Sequence, residues 1–66
     1  MAEFKYRVSR FDDAHEIRSQ FLSLRRAYTT FSLARSQGWT YVELVRLSDG
    51  EVMWSYGTMP SWRKRL

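Results

Sequence analysis

The side chains that could carry chemistry are few, and their spacing does not converge on a reaction. His15 is the only histidine and cysteine is absent, so neither a zinc site nor a Cys–His nucleophile pair can be assembled. Beside His15 stand Asp12, Asp13 and Glu16, the oxygen donors that a divalent cation would use. Helix capping accounts for the same spacing more simply. With Asp13 as the cap, Glu16 falls three residues on and completes a capping box. Eight serines are scattered without a glycine-rich elbow or an adjacent base, and no phosphate-cradling glycine loop is present. The reading is a non-enzyme with no catalytic residues, no metal ligands and no cofactor.

Recognition chemistry is better represented. Lysine and arginine number 11 against 7 acidic residues, for a net charge of +4, and the sequence pI is about 10.0. Lysine occurs only at Lys5 and Lys64; the remainder is arginine, whose planar fork suits phosphates, carboxylates and aromatic faces. Trp62 beside Arg63, Lys64 and Arg65 could stack on a base while the cations hold phosphates, helped by Arg18 on the helix. A duplex reader gathers its cations on one side. Here Arg18, Arg25 and Arg26 fall on the outer face of the expected helix, whereas Lys5 and Arg7 project from the opposite side of the sheet.

The elements that must position these residues follow from hydrophobic periodicity. Phe4, Tyr6 and Val8 alternate with Lys5, Arg7 and Ser9, which predicts a strand with one buried face. Ala14, Ile17, Phe21, Leu24, Tyr28 and Phe31 recur at helical spacing, and Gly38 can end the run in the left-handed conformation. A helix from Asp13 to Gln37 would be about 37 Å long, more than a strand can match. The β-branched pair Thr29-Thr30 is the expected break. Trp39 to Leu47 and Glu51 to Tyr56 are rich in strand formers and flank Ser48-Asp49-Gly50, which predicts a hairpin.

The expected fold is therefore α+β, strand-helix-strand-strand. A three-stranded antiparallel sheet of order 1-3-2 carries the helix on one face and leaves the other open. Residues 1–58 form the domain, and 59–66 a basic tail containing Trp62. A three-residue turn would place Val42, Leu44, Val52, Trp54 and Tyr56 on one face almost free of charge, with Val45, Leu47 and Met53 pointing outward.

A chain of 66 residues supports one domain, burying roughly 60% of its unfolded surface. Without disulfide or metal, stability must come from its aromatic residues and from association. Leu22 and Leu33 lie off the helical stripe and add to the surplus apolar surface. Val45, Leu47, Met53, Leu22, Leu33, Arg25 and Arg26 are the expected protein interface. The leading expectation is a protein-binding accessory factor or inhibitor, of the kind viruses and mobile elements encode, docking on a larger acidic protein or nucleoprotein assembly. The alternatives are a nucleic-acid binder and a self-assembling homo-oligomer. No leader-like or membrane-spanning run is legible, so the chain is expected to be soluble and cytoplasmic, without a membrane partner.

Overall fold

The structure is a computed structural model that describes residues 3–64, with the side chains of Arg63 and Lys64 outside that description. The side chains of the basic cluster Arg63-Lys64-Arg65 thus lie outside what the structure describes. The elements are β1 (Tyr6–Phe11), β2 (Glu16–Phe21), α1 (Leu24–Ser36), β3 (Tyr41–Arg46), β4 (Glu51–Gly57) and the short α2 (Ser61–Lys64). One antiparallel sheet runs in the order β2-β1-β3-β4, with α1 on one side. The class is the expected α+β. The strand count and order are not.

The added strand is β2, and its presence corrects the expected helix start. Asp12 caps a hairpin turn rather than a helix. Its carboxylate accepts the Ala14 and His15 backbone N–H groups at 2.8 and 2.6 Å, and its own N–H donates to the His15 carbonyl at 3.0 Å. Those two donors hold the Asp12 carboxyl below its ordinary range. Ile17 and Phe21 are four residues apart, a spacing that shares one face of a helix and equally one face of a strand. As a strand, the same run pairs Phe21 with Tyr6, Ser19 with Val8 and Ile17 with Arg10.

Because β2 reverses the chain before the helix begins, the crossover through α1 joins β2 to β3 and leaves β1 between them. β3 is consequently antiparallel to β1, with Leu44 opposite Val8. The expected insertion of the last strand between them is replaced by β4 at the edge. The helix is also shorter than expected. Ser23 caps it through the Arg26 N–H, and its 13 residues span about 20 Å, the length of one strand. No break occurs at Thr29-Thr30: both residues lie inside the continuous helix, and the Thr29 hydroxyl donates back to the Arg25 carbonyl at 3.0 Å. Gly38, at φ +86°, terminates the helix as its position predicts.

The core lies between helix and sheet. Ala27, Phe31 and Ala34 from α1 meet Val8, Val42 and Leu44 from the two central strands, and Tyr6, Phe21, Leu24, Trp39 and Met53 close the margin. The two alanines let the helix approach closely, and Phe31 between them fills the space so left.

Two compensating insertions set the register of the second hairpin. Its loop has four residues rather than three, Leu47 to Gly50, between the pair Arg46 and Glu51. The Gly50 N–H, at φ +74°, donates to the Arg46 carbonyl at 2.8 Å. A bulge then adds Met53, so pairing passes from Val45–Val52 to Leu44–Trp54. Beyond the bulge, Trp54 and Tyr56 sit opposite Leu44 and Val42, the expected partners. Before it, the faces change. Val52 joins Val45 on the side away from the helix, Val45 is only 4% exposed, and Met53 packs against the core. The outward patch of Val45, Leu47 and Met53 therefore does not form.

Arg46 ties this loop by meeting Asp49 at 2.7 Å and Glu51 at 2.8 Å. The guanidinium and the Glu51 N–H hold the Asp49 carboxyl down to about 2. Its folded pKa lies below the unfolded value of about 3.9, so the stabilisation is complete above about pH 4. It is lost as pH falls through about 2. A carboxyl-detected NMR titration is expected to place Asp49 near that value, and a midpoint near 4 would show that the bidentate contact is absent in solution.

At the other end of the sheet, Pro60 is buried and the Trp62 ring rests 5.9 Å from that of Phe11. The Trp62 indole N–H donates to the Asp12 carbonyl at 3.2 Å. Trp62 thereby packs on the buried Phe11, which also meets Tyr41 at 5.6 Å. No helix among the described residues is long and apolar enough to cross a membrane.

Candidate protein interface

The two sides of the sheet differ in character. Away from the helix, Glu43 is 4% exposed, accepts from the Tyr41 hydroxyl at 3.2 Å and pairs with Arg7 at 3.5 Å. Arg7 also donates to Ser9, which is fully buried. Arg18 lies 2.6 Å from Glu16, which raises the guanidinium pKa. Around Arg7 and Glu43 this side is a hydrogen-bonded polar network, with Val45 and the exposed Val52 beside it.

The helix side carries the exposed apolar surface. α1 lies over β3 and β1 and reaches β2, whereas β4 projects at the margin. Trp54 and Tyr56 are therefore 40% and 50% exposed although they face the helix side. Between helix and edge runs an open, mainly apolar groove of about 430 Å³ lined by Leu24, Arg25, Tyr28 and Trp54. Tyr28 meets Trp54 edge-on at 5.2 Å, which fixes the indole as one wall. The Arg35 guanidinium lies 5.0 Å over the Tyr56 ring. Among the described residues, no carboxylate lies in ion-pair range of Arg25, Arg26 or Arg35.

The edges are also unequal. β2 carries Glu16, Arg18 and Gln20, while β4 reads Glu-Val-Met-Trp-Ser-Tyr-Gly, with one acidic residue at its start and no lysine, arginine or proline. Charged side chains and prolines are how edge strands avoid pairing with other chains. The β4 edge carries neither beyond the bulge.

Of the residues singled out from the sequence, Arg25 lines the groove and Arg26 is exposed beside it on α1. Leu22 and Leu33 are 52% and 57% exposed, but Leu22 precedes the helix, Leu33 lies near its C-terminal end, and neither lines the groove. Trp62 packs on Phe11 and donates to the Asp12 carbonyl while remaining 38% exposed, and Arg18 pairs with Glu16; neither is among the groove residues. His15 is exposed at the first hairpin turn, 3.5 Å from Asp12. Among the described residues, no group of three metal-capable side chains converges.

The sequence reading missed Tyr28, Trp54, Tyr56 and Arg35 as surface residues. Tyr28 falls on the helical stripe and Trp54 on an expected central strand, so both read as core. The available signal was the near absence of charge along Glu51 to Gly57, which is equally the signature of a buried strand. No protein-family model, curated protein or solved structure matches the chain.

Proposed function

We propose that this protein is a small non-enzymatic binding module, an accessory factor or inhibitor that docks on a larger protein assembly through the groove between α1 and β4. The observation that carries this reading is the pairing of Tyr28 and Trp54 in an exposed apolar groove flanked by arginines with no carboxylate partner among the described residues. Aromatic anchors with arginine at the margin are the composition of interface hot spots. The partner's contribution is an apolar side chain set in the groove, with acidic residues placed to meet Arg25, Arg26 and Arg35. Blocking or bridging needs only such a surface, and a domain of this size can supply it without an enclosed pocket.

The same aromatics and arginines could instead stack bases and hold phosphates. Capture from the native host with and without nuclease separates the two. The protein reading expects a partner retained after nuclease and only mildly sensitive to salt. Loss of all capture on nuclease treatment, with affinity falling log-linearly in salt, would transfer the groove to single-stranded nucleic acid.

A further inference from the structure

We infer that the β4 edge pairs antiparallel with β4 of a second copy of this chain, joining two sheets into one of eight strands. This rests on the reading of the α1–β4 side as a protein interface and names the first protein it takes. A symmetric dimer requires a surface complementary to itself, and β4 meets that requirement in backbone, side chain and charge.

The backbone comes first. The Thr58 N–H donates to the Thr40 carbonyl at 3.0 Å. Alternation along the ladder then turns the peptide groups of Trp54 and Tyr56 toward β3 and those of Ser55 and Gly57 outward. The bulge at Met53 confines regular pairing to the run from Trp54 onward. A twofold axis through Ser55 lets each Ser55 exchange both peptide hydrogen bonds with its counterpart.

In that register Trp54 of each copy lies across from Tyr56 of the other, twice, on the helix side. Two half-exposed aromatic residues per chain are thereby covered by cross-strand aromatic pairs. Charge favours the same antiparallel sense. At the turn end of β4, Arg46 faces two carboxylates, Asp49 and Glu51, leaving a net negative charge. At the other end, Arg35 stands over Tyr56 with no carboxylate partner among the described residues. Antiparallel pairing brings the acidic end of each copy toward the Arg35 end of the other, whereas parallel pairing would set like against like. At the other edge, β2, Glu16 and Arg18 already pair with each other within the chain, and charged side chains guard an edge against pairing. The two α1 helices then stand on the same face, and the two grooves between them adjoin as one wider surface for the larger partner.

Sedimentation equilibrium of the full chain is expected to give a dimer that dissociates on dilution. Ser55→Pro removes an outward N–H while sparing the β3 ladder. It is expected to weaken dimerisation roughly tenfold or more, by deleting two symmetric hydrogen bonds, with an unchanged far-UV circular dichroism spectrum. Because the chain has no cysteine, Ser55→Cys reports the register independently. Opposed Cα atoms about 5.5 Å apart in such a pair lie within disulfide range. Mild oxidation should give a crosslinked dimer from Ser55→Cys and monomer from Ser48→Cys, which sits in the exposed turn. A monomer at the highest soluble concentration, or equal crosslinking of the two variants, would overturn the pairing. A monomer that still needs Arg25 for its larger partner would leave the proposed function standing, and a dimer indifferent to Arg25 in partner capture would do the reverse.

Discussion

Phe31→Ala is expected to lower the unfolding free energy by about 3–5 kcal/mol, the usual cost of deleting a buried phenylalanine side chain. Phe31 is 2% exposed and is the largest helix residue in the core cluster. The neighbouring helix contributions, Ala27 and Ala34, are too small to move into the space it leaves. At roughly 0.05–0.15 kcal/mol of stability per residue, a 66-residue domain has about 3–10 kcal/mol in all, so the loss takes about a third of it or more. The variant's urea midpoint should fall well below that of the wild-type chain. Leu33→Ala is the internal contrast. Leu33 is 57% exposed on the same helix, and its truncation should change stability by less than about 0.5 kcal/mol. Urea titrations of both variants at one protein concentration measure the difference. A Leu33 effect as large as that of Phe31 would mean that the helix buries a different face.

That contrast bears on how much of the fold is legible in the sequence. The core side of β1 is plain in the alternation of Tyr6 and Val8, and the second hairpin in its strand formers around Asp49-Gly50. The end of the helix is plain in Gly38. What misleads is the run from Asp12 to Phe21. Acidic residues at a hairpin turn resemble a cap, and Ile17 with Phe21 satisfies both periods. Once that run is read as helix, a strand is lost and the crossover appears to return parallel to β1. Trp54 then moves from the edge to the centre. The candidate site fails with it, because Tyr28 and Trp54 owe their exposure to a margin that only the four-strand order creates. The outward patch fails for a more local reason. A fourth loop residue and the Met53 bulge cancel beyond Trp54 but not before it, and no residue type in Glu51 to Met53 announces a bulge.

Gly57 illustrates a constraint that only the assembled hairpin reveals. At φ +96° its backbone is left-handed, and a Cβ there would run into the Thr40 carbonyl. In the sequence it is one more glycine after a strand. In the fold it permits the close approach of chains that ends β4, and so limits the length of the edge on which the proposed contact depends.

The second large effect concerns binding. Trp54→Ala removes one wall of the groove and the partner of Tyr28, and as a centrally placed aromatic anchor it is expected to cost at least about 2 kcal/mol of affinity, roughly thirtyfold. At 40% exposure on an edge strand, its loss should leave the fold intact. Arg25→Glu tests the same groove without touching β4, by reversing the charge that the partner's carboxylate is proposed to meet. The decisive measurement is an equilibrium titration of the partner captured from the native host against the wild-type chain and these two variants, each confirmed folded by circular dichroism. Loss of about thirtyfold or more for Trp54→Ala, with marked weakening for Arg25→Glu, is the predicted result. Wild-type affinity in both variants would contradict the placement of the binding surface between α1 and β4.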